Sequence, residues 1–253
     1  MPPFRLRAAF AALLLLVGQG AGPQRLRAQG AAPRVTDVPD ISFEKYVLPN
    51  GLEVILSEDH RLPLVAVNVW YHVGPANEEP GRTGFAHLFE HMMFNGTKHV
   101  QGDSFWKFVE GAGGSDINGT TSLDRTNYFQ TLPANQLELG LWLESDRMGY
   151  LLDGLDQEKL SNQQDVVRNE RRQSIENRPY GIVDEMVFHQ LFPKGHPYYA
   201  NIIGSHADIQ AAQLGDVQSF LRSTTRRRMR ALPSWATSTR RQPGSWSRST
   251  SVR

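Results

Sequence analysis

Apolar and polar residues alternate most cleanly over LPLVAVNVWYHV, which begins at Leu62. Val65, Val67, Val69 and Tyr71 fall on one side of an extended chain, which predicts a strand buried on that face. Upstream, FEKYVL (43–48) and LEVILS (52–57) flank Pro49, Asn50 and Gly51. An Asn-Gly pair supplies the positive φ angles of a tight primed turn, so these segments are expected to form a hairpin. After a Gly, Pro and Glu-rich loop the period changes. Phe85, Leu88, Phe89 and Met92 recur at helical spacing, predicting a helix over 84–95 that Thr83 caps and Asn95-Gly96 ends in left-handed geometry. A short helix follows at 104–112, with Asp103 as cap and Gly113-Gly114 as stop. Strands are expected at 116–121 and 126–132, then helices at 135–150, 156–177 and 181–192, with Pro179 separating the last two. No internal repeat is visible. The fold class is α+β, an antiparallel-rich mixed sheet flanked by helices.

Composition narrows the picture. With 253 residues, 40% hydrophobic and 21% charged, the chain can bury a core, and disorder throughout is excluded. There is no cysteine, which rules out disulfide scaffolds, thiolate zinc sites and cysteine nucleophiles. The longest apolar run, Ala8 to Gly18, is shorter than the roughly 20 residues a membrane helix needs, so no integral membrane segment is expected in the mature chain. That run follows Arg5 and Arg7 and precedes small residues, the build of a secretory signal peptide over residues 1–30, cleaved near Gly22 or Gly30. Export to a periplasm or the exterior follows. The formal charge of +1 hides a division, because all 26 acidic residues lie between two basic ends that carry none. Nucleic-acid binding does not follow from such a balance, and the case for it rests on Arg226, Arg227, Arg228 and Arg230 alone.

The chemistry sits in the helix over 84–95. His87 and His91 are four residues apart, one turn apart on one helix face, with Glu90 beside the second. Two neutral imidazoles at that spacing can grip one zinc ion. A surface helix with two solvated histidines is the plainer reading. The heavily apolar neighbours oppose it, since three polar side chains on a core-packed helix need a compensating purpose. A hydrolytic zinc needs a third protein ligand and an open position for water. Asp116, Asp124, Asp165, Glu170 and Glu176 are all downstream candidates, and spacing alone does not choose among them.

Three blocks, GFAHLFEHMMFNGT, DRTNYF and VVRNERRQSIENRPYG, resemble the signatures of the insulinase/pitrilysin family of zinc peptidases, whose zinc motif is inverted relative to His-Glu-x-x-His. The resemblance spans about Phe43 to Leu221. It implies the amino-terminal, catalytic half of a two-half peptidase, with the domain at 35–222 incomplete. It also implies Glu170 as the third ligand, 78 residues beyond His91, and Glu90 as the general base for a zinc-bound water. Several branches carry a further Glu seven residues before the third ligand, where this chain has Gln163. In the family, substrate peptides lie extended along a sheet edge, which places Asn118 of Asp116–Thr120 at the substrate. A second, similar half closes over the first, so a carboxy-terminal half or partner subunit is expected. A non-catalytic partner subunit and a truncated product without peptidase activity are the alternatives.

The family pattern stops after Arg222. Residues 223–253 carry eight Arg with no acid and no Lys, a composition that forms no packed core and is expected to be disordered. The break has the look of a changed reading frame. Read one base earlier, from the last base of codon 223, the genetic code permits YYAPKNASLAIVGDFDAATARKLVEKYFG, which holds a core strand, ASLAIV, and an amphipathic helix, ARKLVEKYF.

Overall fold

The computed structural model describes residues 41–225 and 229–234. The signal-peptide reading of residues 1–30 falls outside the described residues. Alternation dictates the sheet. In β3 (Leu64–Tyr71) Val65, Val67, Val69 and Tyr71 are buried, and in β5 (Arg125–Pro133) Thr126, Tyr128, Gln130 and Leu132 are buried. With β1 (Glu44–Val47), β2 (Glu53–Leu56), β4 (Ser115–Ser122) and β6 (Met229–Ser234) they form one six-stranded sheet in the order β1-β2-β6-β3-β5-β4. Only the β2–β6 pairing is parallel. The α+β reading, antiparallel-rich and mixed, is the observed architecture.

The hairpin between β1 and β2 is made by a different turn from the one expected. Gly51 has a φ of +87°, while Asn50 is not among the non-glycine residues with positive φ. Gly51 N donates to Leu48 O and Leu48 N to Leu52 O, so a three-residue loop ends on a left-handed glycine. Proline at position 49 favours this, since its ring presets the first turn angle of an ordinary turn.

The main core lies on the sheet face that carries Val69, Tyr71 and Tyr128, and the described residues include seven α-helices. They are α1 (Phe85–Met92), α2 (Ser104–Gly111), α3 (Leu137–Tyr150), α4 (Gln157–Arg171), α5 (Val183–Leu191), α6 (His206–Ala211) and α7 (Leu214–Thr225). Leu88, Phe89 and Met92 of α1 meet Tyr71, Tyr128, Leu160, Val167, Val217 and Leu221 in the main core. Each such side chain withdrawn from water contributes about 1.5–3 kcal/mol. A smaller cluster of Val65, Val100, Phe105, Val109, Leu132 and Leu143 lies beside it. The helix expected over 156–177 is α-helical to Arg171 and then widens into a π turn, Arg172–Glu176. Asp103 precedes α2 as expected, but its side chain makes no capping bond.

The arginine-rich tail departs from expectation in its first third. Helix α7 runs to Thr225, and Met229–Ser234 form β6 between β2 and β3 instead of a disordered segment. Strand pairing is made by backbone groups. The slot between β2 and β3 would otherwise leave a row of donors and acceptors unpaired, so it accepts a segment whose composition predicts no strand.

Candidate metal centre

Helix α1 brings the histidines together because it is a core element. Six of its eight residues are buried, His87 among them. Its first turn is held from outside the helix. Glu78 Oε2 accepts from Gly84 N at 3.0 Å and Oε1 from Ala86 N at 2.8 Å. Thr83, the expected cap, instead donates its hydroxyl to Asp208 Oδ2 at 2.5 Å. Gly84 stands at the helix start with a φ of +84°. The helix ends at Met92, short of the expected 95, with Met93 as a right-handed cap, and the left-handed Gly96, at +92°, lies beyond it.

One turn apart, His87 Nε2 and His91 Nε2 stand 3.3 Å from each other. Glu170, on the last turn of α4, places Oε2 at 3.3 Å from His91 Nε2 and 3.7 Å from His87 Nε2. Two donors that each bind one zinc at about 2.05 Å with tetrahedral angles are separated by roughly 3.3 Å. The three atoms thus fit a single ion. Among the described residues, His87, His91 and Glu170 are the only group of three or more His, Cys, Asp or Glu residues placed to hold a metal. Asp116, Asp124, Asp165 and Glu176, equal candidates by spacing, are not in it.

A closed loop of amides sets the His91 tautomer. Asn95 Nδ2 donates to the His91 carbonyl at 3.0 Å, which leaves Asn95 Oδ1 to accept from Gln163 Nε2 at 3.2 Å. Gln163 Oε1 must then face His91 Nδ1, also at 3.2 Å, and accept its proton. In its neutral form His91 therefore carries its lone pair at Nε2, toward Glu170; the protonated ring carries a second N–H there and donates it to Glu170 Oε2. Gln163 occupies the orienting position without supplying charge. His87 Nδ1 is buried and has no hydrogen-bond partner among the described residues.

Electrostatics set the protonation of the three groups. Burial, reinforced by the charge of His91, pushes His87 down to about 4, so its imidazole is neutral at neutral pH. For His91, burial pulls the other way but is outweighed by the Glu170 and Glu90 carboxylates, and the net shift is upward. The hydrogen bond with His91 holds Glu170 below the usual carboxylate range. Glu90 is raised by burial, against the pull of the hydrogen bond from Thr121 Oγ1 to its Oε2 at 2.5 Å.

Strand β4 forms the wall next to Glu90. A methyl group at Gly119 would stand 3.0 Å from Glu90 Cγ, so Gly119 and Thr121 face the carboxylate. Asn118 points to the opposite face by strand alternation, and its Oδ1 is taken by Gly119 N at 2.8 Å. Beta-4 is also the last strand of the sheet and pairs only with β5. The sequence reading missed Thr121, Asn95 and Glu78. The alternation GTT, with Gly119 close-packed, is the pattern that would have placed Thr121 on the reacting side.

Comparison with known proteins gives the family of the chain. The family Insulinase (Peptidase family M16) matches residues 53–200. Zinc protease PqqE of Helicobacter pylori is 33% identical over 208 residues, 82% of this chain and 44% of PqqE. The crystal structure of a protease from Helicobacter pylori superposes with a TM-score of 0.74 at 31% identity, over 79% of this chain and 47% of that one. The periplasmic protease PqqL from Escherichia coli gives 0.72 over 83% of this chain and 24% of its own, and at 21% identity it speaks for the fold alone. The chain thus spans about half the length of the Helicobacter pylori relatives. A family match over more than half of the sequence makes this protein a member of the insulinase family, peptidase family M16.

Proposed function

We propose that this protein is the amino-terminal, zinc-bearing half of an exported endopeptidase that hydrolyses extended peptides. The observation that carries the reading is the convergence of His87, His91 and Glu170 beside a half-buried carboxylate, Glu90. His87 and His91 through Nε2 and Glu170 through Oε2 would hold one zinc ion. The chemistry a bound zinc supplies is Lewis-acid activation of a water and of the scissile carbonyl. Glu90 takes the proton as the water oxygen bonds to the carbonyl carbon, and returns it to the leaving nitrogen as the C–N bond breaks. Thr121 occupies Oε2, so the proton is carried at Oε1. Burial raises the affinity of Glu90 for that proton, which suits a group that must both accept and donate it.

The open edge of β4 would take an extended peptide by strand addition, through backbone groups and with little sequence demand. Asn118 contributes there through its main chain, since its side chain faces away from Glu90. The relatives' greater length supports a carboxy-terminal half or partner subunit over the site, and α5 leaves Met186, Val187 and Leu191 exposed. Export rests on the leader-like first 30 residues, and the similar protease PqqL of Escherichia coli is periplasmic. Among the described residues no helix is long and apolar enough to cross a membrane.

A test separates metal binding from chemistry. Replacing His91 with Ala should abolish stoichiometric zinc. Glu90→Gln should keep zinc while peptide cleavage, assayed with a second family half supplied, falls by about 10²–10⁴-fold. Cleavage at the parent rate by Glu90→Gln would exclude the mechanism.

A second reading, a product shifted out of frame after codon 222, has its own support. In the alternative frame ASLAIV falls on positions 230–235, one residue from the observed strand Met229–Ser234. The same slot would be filled by a more apolar strand.

A further inference from the structure

Glu170 has a placement problem that its own helix does not solve. It lies one residue from the end of α4, and its side chain is 43% exposed. Helix ends fray, whereas a metal ligand must be held to about half an ångström. The chain does not continue as a regular helix beyond it, because a π turn starts at Arg172.

The neighbouring side chain supplies the missing restraint. Arg171 is only 11% exposed, and its guanidinium donates in three directions. Nε reaches Glu176 Oε1 at 3.2 Å across the π turn, Nη1 the Gly204 carbonyl at 2.9 Å, and Nη2 Glu185 Oε2 of α5 at 2.9 Å. The acceptors are themselves tied. Asn201 Nδ2 donates to the same Glu185 oxygen at 2.6 Å, and Asn201 Oδ1 accepts from Gly204 N at 2.8 Å. His206 Nε2 meets Glu176 Oε1 at 2.8 Å.

Gly204 then connects this knot to the other metal-bearing helix. Its φ is +76°, and a Cβ there would collide with the backbone of Thr83 and Gly84, the residues that open α1. Ser205 N donates to Thr83 Oγ1 at 3.0 Å, and Thr83 N donates to Asp208 Oδ2 at 3.1 Å. His87 lies three residues into α1 from Gly84. A continuous path of short contacts therefore runs from the residue after Glu170, through Gly204, to the start of the helix holding both histidines.

We infer that Arg171 is a positioning residue for the metal centre, a bracket that locks the end of α4 to the beginning of α1 and so fixes Glu170 relative to His87 and His91. This rests on the zinc-site reading above. Arg171 touches neither the metal position nor substrate. Only a planar fork reaches Glu176, Gly204 and Glu185 together; a lysine keeps the charge but offers one nitrogen.

The experiment measures zinc affinity of the full 253-residue chain by competition with a chelator, below the melting temperature of each variant. Arg171→Lys should weaken zinc binding 10–100-fold, the range seen when groups that orient metal ligands are lost. Glu185→Gln, which keeps shape and an acceptor, should weaken it less and serves if Arg171→Lys does not fold. Val217→Ala removes core volume under α7 and controls for stability alone; it should lower the melting temperature and leave zinc affinity unchanged. Equal affinities for the parent, Arg171→Lys and Glu185→Gln would overturn the bracket while leaving the zinc site intact. A parent chain whose zinc content is unaffected by His91→Ala would overturn the site and the bracket with it.

Discussion

Gly119 is small where a methyl group would press on the Glu90 carboxylate. An added Cβ would stand 3.0 Å from Glu90 Cγ, 3.1 Å from Phe94 Cε2 and 3.2 Å from Tyr128 Cδ1. Gly119→Ala is thus expected to shift Glu90 by a few tenths of an ångström, at a stability cost of about 1–3 kcal/mol. Zinc content should be unchanged while kcat falls on the order of ten- to a hundredfold, since small displacements of a reacting group are costly. Full activity in that variant would show that Glu90 does not need its observed seat. At this scale the sequence was legible where chemistry is local. His87 and His91 share a face because four residues make about one helical turn. Glu170 lies 78 residues beyond His91, so spacing could not select it from five acids, and only the family resemblance did. Thr121 and Asn95 act through contacts that no local period encodes.

Helix α1 was legible from Phe85, Leu88, Phe89 and Met92, yet its start was misassigned. Thr83 has the chemistry of a cap, but Asp208, 125 residues away, claims it, and the buried Glu78 carboxylate takes the free amides of the first turn instead. Burial pushes Glu78 up to about 7, against the pull of those amide bonds. A folded value above the unfolded one means that ionisation is harder in the folded chain. The stability present below about pH 4.5 is therefore lost as pH rises towards 7, by at most a few kcal/mol. Thermal melts should show the parent losing stability between pH 5 and 7.5 and Glu78→Gln changing less over that range, from a lower starting point because the amide offers one acceptor where two are needed. Parallel melting curves for the two proteins would remove Glu78 as the source. The π turn at Arg172–Glu176 was hidden for a related reason: its residues read as helix formers, and the tertiary anchors of Arg171 set where the regular helix ends.

Across the whole molecule, the alternating strands and the helical layer could be read from the chain, but the sheet order could not. The hairpin of β1 and β2 reaches the rest of the sheet only through β6, which pairs with β2 at Glu53 and Val54 and with β3 from Ala66 to Tyr71. An Arg-rich composition concealed that strand, because its place is fixed by backbone pairing. If the reading frame is restored from the last base of codon 223, ASLAIV should occupy the slot with better apolar cover. The restored protein should melt higher than the 253-residue chain and protect the amides of Glu44–Val47 and Glu53–Leu56 more strongly in hydrogen exchange. A restored frame that is closed by stop codons, or protection no better than before, would end that reading.

The position of β6 also sets a clock. Strand β3 ends at Tyr71; its neighbour on one side, β5, is complete at Pro133, but the one on the other side, β6, is not made until Ser234. At about 5–20 residues per second, synthesis of the roughly 160 intervening residues takes on the order of ten to thirty seconds. Throughout that interval the nascent β1–β2 hairpin lacks the strand through which it joins the sheet and one edge of β3 stays open, so β6 acts as a late clasp.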